Sequence, residues 1–296
     1  MRLATLRHEG KEKPAVAARD GYVLLENLEE ATGSRWPGDL LELIATGRLD
    51  ALNCWYRAEG RKLLDQRGIP HIMREQARFA PLYRNPGKIW GIGLNYREHA
   101  ADLSEQAPKE EPASFMKPDT AIVGHGDPVR IPVQSLRTTG EAEFAVIIGK
   151  RCRELARKAW LDAVAGFTTA IDMTAEDILR KNPRYLTRAK SFDTFFSFGP
   201  VFLTPDEIPE VKDLNVATVI NGKVHARNAV ANMTFTPDAL VSFHSKGMTW
   251  LPGDILSTGT PGAVPLQEGD RIECRIDGFE PLVNPVVDLK RSREPR

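Results

Sequence analysis

Glu141-Ala142-Glu143 opens the segment EAEFAVII and sets two acids one residue apart. On a strand, side chains at i and i+2 share a face, so the two carboxylates become neighbours. Like charges held that close repel unless something neutralises them. An all-oxygen donor set suits Mg2+ or Mn2+, and Ca2+ is a further possibility. Asp172 ends the apolar run AGFTTAID, where a third acid can stand at a cavity mouth. The same pattern fits a solvated strand start and an Asp that caps the next helix. Spacing alone leaves both readings open.

Three other places carry chemistry. His99 and Asp102 stand three apart on a predicted helix over residues 96–103, which puts them on one face. A carboxylate beside an imidazole orients it and raises its basicity, as a general base requires. A surface helix pair has the same spacing. Lys190 sits in Ala189-Lys190-Ser191-Phe192-Asp193, where an ammonium can polarise a carbonyl or hold a carboxylate. It can also be an ordinary snorkelling lysine. Thr258-Gly259-Thr260-Pro261-Gly262 brings hydroxyls and free backbone N–H groups to a turn, either as an anion contact or as plain structure.

The elements that position these residues are mostly strands. Segments 88–93, 141–148, 164–172, 214–220, 255–258, 271–276 and 283–289 read as strands by apolar alternation or apolar runs. Asn221-Gly222 reads as a tight hairpin turn. Helices are expected after Pro37-Gly38-Asp39, near 174–181, and from Thr236-Pro237-Asp238 to Gly247. Strands outnumber helices without regular alternation, which disfavours a doubly wound sheet and a TIM barrel. The expectation is a mixed, β-rich α/β fold. Residues 1–80 look like a small unit of their own, and Arg84-Asn85-Pro86-Gly87 is a turn cluster fit for a boundary.

Composition removes several classes. Forty Lys and Arg face forty Asp and Glu in 296 residues, so no net positive field exists to coat nucleic acid or a membrane surface. The charged start MRLATLRHEGKEKP has no apolar core of a signal peptide, and no apolar run approaches a membrane span. Three distant cysteines without a C-x-x-C pair suggest buried reduced thiols and a cytoplasmic protein. Gly91-Ile92-Gly93 is followed by Tyr96 where a dinucleotide fingerprint needs its third Gly. No Walker A loop and no G-x-S-x-G elbow occur.

The order of the motifs says more than any one of them. Gly93-Leu94-Asn95-Tyr96-Arg97-Glu98-His99, Phe115-Met116-Lys117-Pro118, Glu141 to Lys150, Ile171-Asp172-Met173-Thr174, Lys190 to Thr194, Gly199-Pro200, Asn221-Gly222, Pro252-Gly253-Asp254 and Thr258-Gly259-Thr260-Pro261 run collinearly. Together they closely resemble the fumarylacetoacetate hydrolase family over about residues 85–290. The resemblance implies a β-sandwich roll over 85–296, a small N-terminal α+β domain over 1–80, and a homodimer. It implies Glu141, Glu143 and Asp172 as metal ligands and His99 as general base on a mobile lid helix. Asp102 stands where the base's partner is usually Glu. Lys190 would contact the substrate oxyanion or carboxylate, Thr260 would lie near the substrate carboxylate, and Tyr96 falls within the matched lid motif as a substrate contact.

The implied activity is a divalent-metal-dependent hydrolase that cleaves a C–C bond in an acylpyruvate-like or fumarylacetoacetate-like diketo acid. The alternatives are a decarboxylase, isomerase or hydratase of 2-oxo dioic acids in aromatic catabolism, and a family member without catalysis. One departure bears on the substrate. Glu176 and Leu179 stand where the family commonly has an Arg and a Gln. Arg180, Lys181, Arg184, Arg188 and Lys190 follow within eleven positions, and Arg184 in particular is a candidate replacement cation for an anionic substrate.

Overall fold

Apolar alternation and long buried runs turn into two stacked sheets. The structure is a computed structural model that describes residues 1–65, 69–97 and 108–291, the side chains of 30 and 31 excepted. Its strands are β1 (Arg2–His8), β2 (Lys11–Ala17), β3 (Gly21–Leu24), β4 (Ile72–Met73), β5 (Ile89–Gly93), β6 (Ala113–Lys117), β7 (Ile122–Val123), β8 (Val129–Ile131) and β9 (Thr138–Ile148). There follow β10 (Val164–Ala175), β11 (Phe196–Leu203), β12 (Asn215–Ile220), β13 (Lys223–Ala229), β14 (Ile255–Ser257), β15 (Ala263–Pro265), β16 (Arg271–Ile276) and β17 (Leu282–Asp288).

A 12-stranded sheet runs β4-β3-β2-β1-β11-β10-β9-β14-β5-β6, with β15 on β9 and β7 on β11. A 5-stranded sheet runs β13-β12-β16-β17-β8 and lays β12 and β16 against β9 and β10. The Thr218 hydroxyl crosses between the sheets and accepts from the Ala142 backbone N–H at 3.1 Å. Strand outweighs helix, and the architecture is the mixed, β-rich α/β fold expected. Every residue of β9 and β10 is buried, so these central strands have no solvent face.

Local chemistry explains the punctuation. Asn221 and Gly222 both take positive φ, 52° and 80°, as a two-residue hairpin between β12 and β13 requires. Asp39 caps the helix Leu40–Ala45 through the Glu42 N–H at 3.0 Å. Gly91 has a different reason from any nucleotide motif. A Cβ there would come within 2.2 Å of the Phe115 ring on β6.

The segment 1–80 shares the large sheet with the rest of the chain. β1 pairs with β11, Ala4 facing Val201, and Leu3 and Val16 join the core cluster that holds Phe202. β1 escapes a hydropathy reading because Arg2, Arg7 and His8 flank a buried run of only four residues, Leu3 to Leu6. The thiols also differ from expectation: Cys274 is buried, Cys152 is half-buried, and Cys54 is exposed. Among the described residues no helix is long and apolar enough to cross a membrane.

Candidate functional site

The β9–β10 ladder places Glu141 opposite Asp172, and Glu143 opposite Ala170. Alternation along β9 keeps Glu143 on the side of Glu141. The three acids are buried, and ligating oxygens from all three lie within 4.8 Å of one another. A solvated strand start is thereby ruled out. Each acid has a different surround. Glu143 Oε2 accepts from the Ser257 hydroxyl at 2.6 Å and from the Gly259 N–H at 2.8 Å. Its Oε1 is buried with no hydrogen-bond partner. Glu141 Oε1 accepts from the Thr174 hydroxyl at 2.9 Å.

Two lysines enter the cluster. Lys190 Nζ lies 3.0 Å from Glu141 Oε2 and also pairs with Asp172. Lys117 Nζ lies 2.5 Å from Asp172 Oδ1 and donates to the Met173 carbonyl at 3.1 Å. Lys190 rests over the Phe115 ring at 4.5 Å, the ring that Gly91 makes room for. Sequence reading identified Lys190 and gave Lys117 no role. The available signal was an ammonium after an aromatic at a strand end, FMKP, which parallels the aromatic surround of Lys190.

Burial and charge then divide the protonation states. Burial, with Asp172 and Glu141 nearby, pushes Glu143 up to about 8. Burial alone would raise Asp172 too, but Lys117 and Lys190 bring it below the ordinary carboxylate value. Burial lowers Lys117 to about 8 against the pull of Asp172. Lys190 rises instead, because Asp172 and Glu141 outweigh its burial.

These donors fit a hard divalent cation. Oxygen ligands alone, one of them an orphaned buried oxygen, match what Mg2+ or Mn2+ takes. With Glu143 protonated at neutral pH, two carboxylates offset two ammonium groups, and a divalent ion that displaced the Glu143 proton would leave one positive charge. The site then attracts an anion.

The remaining sequence-predicted residues fall in three groups. Thr260 is buried one residue past the Gly259 N–H that holds Glu143, and its hydroxyl lies 3.2 Å from the Gly262 carbonyl oxygen. Gly259 adopts φ 95°, and a Cβ there would meet Asn95 at 2.8 Å. Tyr96 is buried and bridges to Met233. Arg184 is exposed on the turn Pro183–Tyr185 and its side chain meets no acid among the described residues. His99 and Asp102 lie outside the described residues. Glu176 is buried, accepts from Arg137 Nε at 2.6 Å and pairs with Arg180. Leu179 packs on the core.

Comparison with known proteins bears on the family and the fold. A family model described as Fumarylacetoacetate (FAA) hydrolase C-terminal matches residues 88–287. A mitochondrial oxaloacetate tautomerase of Xenopus laevis is 37% identical over 212 residues, 69% of this chain and 66% of that protein. The structure of maleylpyruvate hydrolase from Sphingobium sp. SYK-6 in complex with manganese(II) and pyruvate is 27% identical, with a TM-score of 0.78 over 97% of this chain and 99% of that one. The 5-carboxymethyl-2-hydroxymuconate delta-isomerase of Mycobacterium smegmatis is 26% identical, with a TM-score of 0.74 over 97% and 99% of the two chains. Hydrolase, isomerase and tautomerase thus share one scaffold. With the family model spanning both central strands and the turn that holds Glu143, the chain belongs to the fumarylacetoacetate hydrolase family.

Proposed function

We propose that this chain is a divalent-metal-dependent hydrolase that cleaves a C–C bond in an acylpyruvate-like or fumarylacetoacetate-like diketo acid. The observation that carries the reading is the buried acid cluster with Glu143 Oε1 left unpartnered. Glu141, Glu143 and Asp172 would hold a divalent ion, which would supply Lewis-acid stabilisation to the oxygens of a bound oxo acid. Mg2+ and Mn2+ fit this donor set, and Ca2+ shares its preference for oxygen. The relative solved with manganese and pyruvate supports this choice of metal and ligand class.

The chain's own groups do the rest. Lys190 and Lys117 hold two ammonium groups where negative charge develops. Thr260 stands beside the turn as a contact for the substrate carboxylate. We assign His99, oriented by Asp102, to removing a proton from water. The water oxygen adds to the distal carbonyl, the adjoining C–C bond breaks, and its electron pair leaves as the enolate of the released oxo acid. The proton that His99 took from water returns to that carbon and completes the reaction. We also infer a homodimer acting in the cytoplasm on a small molecule, with neither nucleic acid nor membrane as partner.

A second reading uses the same enolate without an attacking water: decarboxylation, isomerisation or hydration of a 2-oxo dioic acid. The tautomerase and isomerase relatives favour it. Product analysis separates the two. Incubation of acetylpyruvate with Mg2+ should release acetate and pyruvate, and Glu143→Ala should abolish the release. Turnover of oxaloacetate with no cleavage of acetylpyruvate would select the second reading. Metal-independent turnover by Glu143→Ala would reject both.

A further inference from the structure

Strand β9 loses its neighbour on one edge at the acids themselves. β15 pairs with it up to Ala263 opposite Glu141, and β14 pairs with it only from Ser257 opposite Ala145. The chain between those two strands leaves the sheet as the turn 258–262, which carries Thr260 and the Gly259 N–H that holds Glu143. Buried backbone groups left in such a gap need other partners. The Phe144 carbonyl accepts from the Thr258 N–H at 3.0 Å. The Ala142 N–H lies between the two glutamates and finds its partner in the smaller sheet, donating to the Thr218 hydroxyl at 3.1 Å.

Thr218 is fully buried, and its hydroxyl is used twice. It also donates to the Gly262 carbonyl at 3.0 Å, which closes the far end of the turn. One side chain therefore ties the strand that bears Glu141 and Glu143 to the turn that orients Glu143. The smaller sheet is shaped to bring it there. In the β12–β13 ladder Thr218 faces Ala226 and Val219 faces Val224, so His225 is an extra residue that slips the register. The slip sets a methyl group opposite Thr218 and leaves His225 exposed. Size matters at that position, since a Cβ on Gly262 would come within 2.6 Å of the Ala226 methyl. On the other flank Cys274 faces Thr218, and its thiol lies 3.6 Å from the Glu143 carbonyl oxygen.

We propose that Thr218 is a positioning residue of the metal site, holding the Glu141–Glu143 strand and the Gly259–Thr260 turn at a fixed separation through one hydroxyl. This rests on the reading of the acid cluster as a divalent-metal site and adds a determinant from the second sheet. Glu143 Oε2 is oriented by Ser257 and by the Gly259 N–H, and its Oε1 is the oxygen left to ligate. Without the Thr218 hydroxyl, the Ala142 N–H and the Gly262 carbonyl lose their shared partner. Strand and turn can then drift apart, and the unpartnered oxygen of Glu143 loses its fixed place.

The test is Mn2+ titration of the full chain, read by electron paramagnetic resonance, with Tm measured alongside. Thr218→Val keeps the shape of the side chain and removes the hydroxyl. It should weaken Mn2+ binding about tenfold, the lower end of the loss expected when an orienting partner goes. Thr218→Ser keeps the hydroxyl and deletes a buried methyl. It should lower Tm and keep the wild-type Mn2+ affinity. Thr218→Ala serves where the valine variant does not fold. A water in the space can solvate the N–H and the carbonyl but is not anchored to β12, so the fold survives and the tether does not. That variant should lose Mn2+ affinity as the valine variant does. Thr5→Val is the control, because it removes another buried hydroxyl, the one on the Leu82 carbonyl at 2.6 Å in β1. It should lower Tm without changing Mn2+ affinity, which separates positioning from stability. Wild-type Mn2+ affinity in Thr218→Val, or in Thr218→Ala where valine does not fold, would overturn the proposal. So would an equal loss of affinity in Thr218→Ser or in Thr5→Val. Failure of the wild type to bind Mn2+ would overturn the underlying metal reading, so the two failures are distinguishable.

Discussion

Glu143 is the most informative single residue. Its Oε2 is held by Ser257 and Gly259, so the unpartnered Oε1 has a fixed position from which to ligate. Partners that orient a metal ligand matter nearly as much as the ligand itself. Ser257→Ala should therefore weaken Mn2+ binding about 10- to 100-fold with little change in fold, read by Mn2+ titration with electron paramagnetic resonance. A wild-type affinity in that variant would remove Ser257 from the site. The acids were legible through the collinear order of the motifs, since their i, i+2 spacing alone fits a solvated strand start equally well. Lys117 was not, because its partner lies 55 positions away and only the sheet pairing brings them together. Glu176 has a partner hidden in the same way, for Arg137 lies 39 positions away and faces it across the ladder.

At the scale of elements, β9, β10 and the Asn-Gly hairpin follow from alternation and turn chemistry, and the structure lengthens both strands at their edges. The helix Pro237–Gly247 was equally legible, with Pro at its start and Gly at its end. It also carries a pH liability that sequence could not show. His244 is buried among Trp90, Phe243 and Trp250, with ring centroids at 5.3, 5.1 and 6.5 Å. Burial pushes it down from 6.5 to about 4. The unfolded chain takes up the proton first, so this contribution to stability is complete above about pH 6.5 and is lost as pH falls toward 4. Denaturation of wild type should show a loss on the order of 1–3 kcal/mol across that window relative to His244→Phe. Parallel curves for the two proteins would refute it.

The whole molecule is one continuous large sheet with a smaller sheet laid on its centre. The acid cluster sits on the opposite face of that centre, because a Cβ on Gly140 would meet Ile272 of the smaller sheet and Glu141 and Glu143 therefore point away from it. The fold class was legible in sequence pattern, whereas the pairing of β1 with β11 in the large sheet was not. The cause is physical: edge-to-edge pairing between distant strands leaves no local periodicity to read. One feature of the centre reaches further than catalysis. Lys117 and Lys190 already neutralise much of the acid cluster, so the chain is expected to fold without an ion. Chelation of a fully loaded sample should lower Tm by about 5 °C, the effect of losing a ligand, instead of unfolding the chain. Collapse to an unfolded chain on chelation, followed by circular dichroism, would show that the ammonium groups do not suffice. A chain that reaches its final shape with ammonium placeholders can accumulate through metal shortage as an intact, idle stock. Under the proposed function, supply of the ion would then set how fast the protein works, and leave how much of it exists to synthesis and turnover.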